Sequence, residues 1–321
     1  MGGDHAPHDV ISGVVEALNE YNVSVALVGI KEQIETELNK HKYPKHLVEI
    51  VHAPEVVLMH DPAAASIRQK KNSSITIGMG LLKKPGYDAF FSAGNTGACV
   101  AAATFGLGLI PGVDRPGIGC ILPTLNGFII CTDMGANTAA KPEHLLQYAK
   151  LSKVYANLVM GVKDVKVGLL NIGEEECKGT DLEKEAHKLL EAKEPAFIGN
   201  VEANEIYTGK AHVVVCDGYV GNVVLKTSEG LVEAMTTLLK REIKKRPLSI
   251  LGSLLMIPAF KGFKKSVDYS EYGGAPLLGV NGLVLIGHGR STPKAIKHAI
   301  RAAIREVEHD LLVKLKEEVL R

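Results

Sequence analysis

Five short apolar runs, most of them closed by a glycine- or polar-rich turn, alternate with helix-like stretches between Val10 and about residue 230, and they constrain the fold more than any other feature. The runs are Val23 to Val28, Ala89 to Ser92, Gly127 to Thr132, Val165 to Asn171 and His212 to Cys216. Runs this short, separated by helical lengths, predict a mostly parallel sheet with helices on its faces. The turns that follow are Ser92-Ala93-Gly94-Asn95-Thr96-Gly97, Asp133-Met134-Gly135-Ala136-Asn137, Asn171-Ile172-Gly173-Glu174-Glu175 and Asp217-Gly218-Tyr219-Val220-Gly221-Asn222. In open α/β sheets the ligand sits at such carboxyl ends.

Glycine beside asparagine, just after a strand and just before a helix, can aim backbone N–H groups and a helix dipole at an anion. For one turn alone, glycine serving tight backbone geometry is the simpler account. Four turns at one predicted sheet edge favour a phosphate site. The candidates are Asn95, Thr96, Gly97, Gly135 and Asn137, with Asn222 as a further donor. Lys178 and Lys141 follow two of these turns, where an ammonium can neutralise a phosphate oxygen or a developing oxyanion; the alternative for each is a solvated surface lysine. Asp4 and His5 lie in the first turn, where a histidine can bond phosphate, relay a proton or cap structure. No Gly-x-x-x-x-Gly-Lys-Ser/Thr loop and no dinucleotide fingerprint occurs, so nucleotide chemistry is not supported.

Composition removes other classes. With 37 Lys and Arg against 36 Asp and Glu there is no global field to attract nucleic acid, and none is expected as a partner. The five cysteines are odd in number and widely spaced; Cys131 and Cys216 close apolar runs and are expected to be buried, as suits a reducing cytoplasm. No His-x-x-x-His or Cys-x-x-Cys spacing occurs, so no metal is assigned, and no Gly-x-Ser-x-Gly elbow marks a serine acyl-enzyme. Met1 to Ala6 carries neither an export signal nor a myristoylation signal, and Ala98 to Val113 falls short of the roughly 20 apolar residues that span a bilayer.

Between Leu239 and Val267 basic residues flank an apolar stretch from Leu248 to Phe260, which predicts an inserted amphipathic helical hairpin over 239–267. Its tip would carry Leu251, Leu254, Leu255, Ile257 and Phe260. Docking on anionic lipid and packing against a second copy both fit such a tip. A glycine-rich loop from Tyr272 to Gly282, a short apolar run from Leu283 to Ile286, and a closing helix with Ile296, Ile300, Ile304, Val307 and Leu311 at helical spacing complete the chain. The length fits one large domain or two joined lobes; a single domain over 1–321 is expected.

Taken together the chain resembles the PlsX family of phosphate acyltransferases. The resemblance rests on Gly2-Gly3-Asp4-His5-Ala6-Pro7, Ser92 to Ala98, Asp114-Arg115-Pro116, Asp133 to Asn137 with Lys141-Pro142-Glu143-His144, Asn171-Ile172-Gly173 with Lys178-Gly179, Asp217 to Lys226, and Tyr272 to Gly279. These blocks run in family order through nearly the whole chain. Family members carry a short apolar strand before the Gly-Gly-Asp motif, whereas this chain begins within that motif, so the family's first strand is expected to be missing here.

The resemblance implies a three-layer α/β/α Rossmann-like sandwich of the isopropylmalate dehydrogenase/phosphotransacetylase kind, acting as a cytoplasmic homodimer that visits the membrane peripherally and uses no redox cofactor. It implies transfer of an acyl chain from acyl carrier protein to inorganic phosphate in phospholipid synthesis, with a glycerol-3-phosphate acyltransferase as a downstream partner. Within that reaction Lys178 is expected as the chief electrostatic group, with Asn95, Thr96, Asn137 and Asn222 donating to phosphate or oxyanion and His5 and Lys141 assisting. The alternatives are an acyltransferase using coenzyme A thioesters, a metal-dependent dehydrogenase on the related fold, and a membrane-docking scaffold for lipid enzymes.

Overall fold

A computed structural model describes residues 1–267 and 273–320. Its helices are α1 (His8–Leu18), α2 (Lys31–Leu38), α3 (Ala63–Gln69), α4 (Ser74–Leu81), α5 (Thr96–Gly106), α6 (Pro142–Leu158), α7 (Asp181–Lys193), α8 (Gly218–Lys244), α9 (Pro247–Leu255), α10 (Ile257–Val267), α11 (Pro293–Glu308) and α12 (Leu311–Val319). Its strands are β1 (Val25–Gly29), β2 (Val48–His52), β3 (Ala89–Ser92), β4 (Gly117–Ile118), β5 (Cys120–Thr124), β6 (Gly127–Thr132), β7 (Val167–Asn171), β8 (Phe197–Glu202), β9 (Val213–Val215), β10 (Ala275–Leu278) and β11 (Leu283–Ile286).

Each of the five predicted runs holds a strand, and so does Leu283 to Ile286. Hydrogen bonding divides the strands into three sheets, ordered β1-β2, β3-β11-β10-β4 and β5-β6-β9-β7-β8. The pairs β6/β9, β9/β7, β7/β8, β3/β11 and β1/β2 are parallel, while β4, β5 and β10 pair antiparallel. Strand β10 lies inside the segment predicted as a glycine-rich loop, whose first residue, Tyr272, is outside the described residues.

Burial on both faces of the five-stranded sheet follows from the two-residue repeat of a strand. Ile129, Cys131, Val214, Cys216 and Leu170 enter a core shared with Ala98, Cys99, Ala102 and Ala103 of α5. Their neighbours Ile130, Val213, Val215, Val167 and Leu169 enter a second core with Leu145, Tyr148 and Leu151 of α6 and Leu190 of α7. The result is a three-layer α/β/α sandwich. A third cluster joins Ile11, Val14 and Val15 of α1 to Ile296 and Ile300 of α11 and Leu27 of β1.

Two helical segments differ from the sequence pattern. The closing helix is broken: α11 ends at Glu308, Asp310 takes a left-handed conformation with φ 51°, and Leu311 starts α12 with its side chain in the second core. The segment 239–267 is not an insertion that begins at Leu239, because α8 starts at Gly218 and runs unbroken to Lys244; α9 and α10 then complete the helical excursion. Arg246 before Pro247 marks the first break, as a residue preceding proline is driven out of helical backbone.

Glu306 of α11 is a buried carboxyl beside Tyr155 of α6, and its Oε1 makes no hydrogen bond. Burial pushes its pKa up to about 8. The unfolded chain releases that proton in the ordinary carboxylate range while the folded chain retains it, so stability falls as pH rises from about 4.5 towards 8. Glu306→Gln should flatten this dependence and raise the thermal midpoint at pH 8 relative to the parent; equal pH profiles for the two proteins would contradict the assignment.

Candidate functional site

The candidate site is built where β3, β6, β7, β9 and β11 end. Asp133, the first residue after β6, is fully buried. Its carboxylate accepts N–H groups from Ile118 (2.9 Å), Gly135 (3.0 Å), Ala136 (2.9 and 3.0 Å) and Asn137 (2.6 Å). The turn predicted to turn its N–H groups towards phosphate is therefore already occupied by a carboxylate of the same chain. That corrects the expectation for the amides of Gly135 and Asn137, whose donors are committed inward. Burial pushes the Asp133 carboxyl up, and the N–H donors pull against that shift. Asp217 works the same way at the α8 start, accepting from Tyr219 N–H at 2.8 Å and from Ala140 N–H at 2.9 Å.

The Asn137 side chain remains directed along the edge. Its Nδ2 lies 3.3 Å from His144 Nδ1 and 3.4 Å from the Tyr148 hydroxyl. His144 Nδ1 also accepts the backbone N–H of Lys141 at 3.0 Å, which places the ring proton on Nε2. Burial lowers the His144 pKa, and Arg115 and Lys141 lower it further. Arg115 also acts on Tyr148, so the charge of this exposed residue is felt at both partners of the Asn137 side chain.

Asn95 is committed as well. As N-cap of α5 its Oδ1 accepts Ala98 N–H at 2.9 Å, and its Nδ2 lies 3.1 Å from each of the carbonyls of Leu58, Met59 and Asp61. It holds the 58–61 loop in place, and its side-chain amide has no N–H left for phosphate, a correction to its expected role as a side-chain donor. Thr96 and Gly97 are the exposed residues of the same first turn.

Asp4 is drawn to the far end of β11. Its N–H donates to Gly289 O at 2.9 Å, and the Gly2-Gly3 backbone packs against Ala93 and Gly94. His5 is exposed, and its carbonyl accepts Asp9 N–H at the start of α1. His288, which the sequence reading passed over, sits here: Nδ1 accepts Arg290 N–H at 3.1 Å and Nε2 faces Lys226 Nζ at 3.4 Å. Burial and the Lys226 charge hold the His288 pKa down. The available signal was Gly287-His288-Gly289-Arg290 directly after an apolar run, the same arrangement as the other turns.

Helix α8 joins the two edges. Asn222 adjoins Gly135, and Lys226, one helical turn later on the same face, reaches His288. The helix comes this close because its first turns are glycine: a Cβ on Gly221 would lie 2.0 Å from Asp133 O, and one on Gly218 2.4 Å from Asp133 Oδ2. Lys178 stands on the loop after β7, its stem over Gly173 and its ammonium 4.0 Å from Glu175. Among the described residues no hydrogen bond or ion pair links it to Asn222, Asn137 or Lys226. The buried thiols are poor nucleophiles, since burial pushes Cys99 up to about 11 and Cys120 to about 12. An open groove lined by Lys153, Asn157, Lys163 and Lys314 lies at the other end of α6 and has no strand-end turn in its lining.

Structures with this architecture include phosphotransacylases. A phosphotransacetylase from Streptococcus pyogenes superposes with a TM-score of 0.58 at 16% identity, over 93% of this chain and 98% of its own. A branched-chain phosphotransacylase from Enterococcus faecalis gives 0.58 at 15% identity, over 96% and 97%. The fold is thus of the phosphotransacetylase class. A family model described as a fatty acid synthesis protein matches residues 1–314. Phosphate acyltransferases from Heliobacterium modesticaldum and Desulfitobacterium hafniense are 47% and 48% identical, over 99% and 100% of this chain and 96% of each relative. One from a Geobacter species is 50% identical over 94% of this chain and 86% of its own. The chain belongs to the phosphate acyltransferase (PlsX) family and is an acyltransferase.

Asp133→Asn replaces an acceptor oxygen by an amide that cannot accept the turn N–H groups. It should destabilise the fold by about 1–3 kcal/mol in urea unfolding; an unchanged midpoint would show that the carboxylate does not organise the turn.

Proposed function

We propose that the protein transfers a fatty acyl group from acyl carrier protein to inorganic phosphate, giving acyl phosphate for phospholipid synthesis. The observation that carries this reading is the position of Asn222 and Lys226 on one face of α8, between the Asn137 edge and the His288 turn, with Lys226 also paired to Glu229 at 2.8 Å and the charges of Arg115 and Lys141 acting on His144. A dianion fits such a set of amide and ammonium donors, and family membership supplies the acyl and phosphate chemistry. The carrier-protein donor rests on the resemblance of the sequence blocks.

A phosphate oxygen attacks the thioester carbonyl, a C–O bond forms, and the C–S bond breaks to release the carrier thiolate, which takes up a proton. Alignment of the two bound reactants supplies much of the rate. Phosphate is held by Asn137, Thr96, Gly97, Lys141 and Asn222, with Asp4 and His5 bordering the site. Lys178 stabilises the carbonyl oxyanion: its pairing with Glu175 is long and exposed, so the ammonium is released at little cost.

Exposed apolar surfaces support the proposed partners. Leu231, Met235 and Leu238 lie exposed along α8 at helical spacing, the kind of apolar stripe that a second copy covers in a homodimer. Leu251, Leu254, Leu255 and Ile257 are exposed on α9 and at the start of α10, whereas Phe260 is only partly exposed. Among the described residues no helix is long and apolar enough to cross a membrane. Peripheral docking of this tip on anionic lipid from the cytoplasmic side would deliver acyl phosphate to a glycerol-3-phosphate acyltransferase.

Incubation with palmitoyl-acyl carrier protein should give acyl phosphate by mass spectrometry only when phosphate is added, and palmitoyl-coenzyme A should be the poorer donor. Lys178→Ala should lower kcat about 100-fold or more while the protein stays folded. Absence of product would sink the reaction, and parental turnover of the variant would sink the role of Lys178. For the tip, Leu254→Glu combined with Leu255→Glu should abolish co-flotation with phosphatidylglycerol vesicles and leave soluble turnover intact; undiminished flotation would remove the docking surface.

A further inference from the structure

A second cluster lies outside the phosphate edge, where the loop after β7 meets α7. Glu176 from the loop and His187 and Glu191 from α7 each bring a ligand atom within 4.8 Å of the others. His187 and Glu191 are four residues apart, which sets both on one face of the helix. Thr180 and Glu183 form a capping box that fixes where α7 begins.

His187 is 5% exposed, and its ring is oriented from behind. Asn200 of β8, itself buried, donates Nδ2–H to the carbonyl of Glu175 at 2.9 Å, and this leaves its Oδ1 facing His187 Nδ1 at 3.0 Å. An amide oxygen only accepts, so Nδ1 carries the proton and Nε2 keeps its lone pair. The ring's other contact is an edge-on approach to Phe197, with centroids 5.1 Å apart. Among the described residues Nε2 makes no hydrogen bond. A buried imidazole whose second nitrogen is pinned by an amide carbonyl is the arrangement by which proteins orient a metal-binding histidine.

We propose that Glu176, His187 and Glu191 bind a divalent transition-metal ion of the zinc type. Two carboxylates and a nitrogen lone pair repel one another when they converge, and a divalent cation cancels both charges and accepts the lone pair. One nitrogen and two oxygens suit zinc and its neighbours, whereas magnesium and calcium favour all-oxygen sets. Ligand atoms around a tetrahedral ion with bonds of about 2.1 Å lie roughly 3.4 Å apart. The exposed side chains of Glu176 and Glu191 supply the remaining closure by rotation.

Such an ion fastens the loop to α7 two residues before Lys178. Other ties already shape that loop, since Asn171 donates Nδ2–H to Lys178 O at 3.2 Å and accepts Ile172 N–H at 2.8 Å. The ion adds a tie on the far side of the lysine's own turn. It is a positioning element, and its binding is measured without substrate, independently of the acyl-transfer reading.

The test uses the full chain stripped by chelator and then titrated with Zn2+ by calorimetry and with Co2+ by visible absorption. One Zn2+ per chain is expected, with ligand-field bands for Co2+. His187→Gln and Glu191→Gln should each weaken Zn2+ binding at least tenfold and remove the Co2+ bands. Glu191 is exposed, so its variant tests the site without disturbing the core. Added Zn2+ should slow hydrogen exchange across 171–179 in the parent and not in Glu191→Gln. Absence of stoichiometric binding, or binding that neither substitution changes, would overturn the proposal.

Discussion

The carboxylate of Asp133 is the group on which the arrangement of this edge depends. A buried carboxylate is costly unless donors surround it, and here four backbone N–H groups from β4 and the following turn converge on it. They tie β4, an edge strand of the four-stranded sheet, to the end of β6, across the boundary between two sheets that share no hydrogen-bonded strand pair. The same turn receives α8, whose Gly218 N–H donates to Asn137 O at 3.0 Å. With Asp133 in place the backbone can fold tightly around it; without that acceptor the same N–H groups would be left buried and unpaired.

From that contact follows the geometry of the cationic groups. Glycine at 218 and 221 allows α8 to start against Asp133, and its direction is then fixed. A helix of 27 residues is about 40 Å long. Asn222 and Lys226 therefore occupy set positions over the edge, while Leu231, Met235 and Leu238, further along the same helix, lie exposed among the described residues. Close approach and exposed stripe are two ends of one element.

Much of the fold could be read from the sequence because β3, β6 and β11 are apolar runs with polar ends, and their predicted bounds coincide with the structure. Strands β2 and β8 were missed because Glu49, His52, Asn200 and Glu202 interrupt their apolar character. The two-residue β4 and the antiparallel β10 have no local signature; their pairing is decided by tertiary contact. The division into three sheets was equally out of reach, since pattern gives the face of a strand and not its neighbour.

At the site the sequence identified the turns but not what their donors do. A Gly-Asn turn after a strand reads as an anion cradle whether the anion is a ligand or a side chain of the protein, and the difference lies in one rotamer of Asp133 and one of Asn95. Both residues look like ligand groups by position, and both are internal fasteners by hydrogen bonding. Under the proposed function, the groups that meet a substrate are side chains whose polar ends the backbone does not consume: Arg115, Lys141, the Asn222 amide, and Lys226, whose ammonium also pairs with Glu229 at 2.8 Å. These come from three segments far apart in sequence, the stretch around Arg115, the start of α6 and the start of α8, so a near-neutral chain still gathers basic groups near this edge. Net charge carries no trace of it; the placement of these segments at the strand ends is a property of the fold.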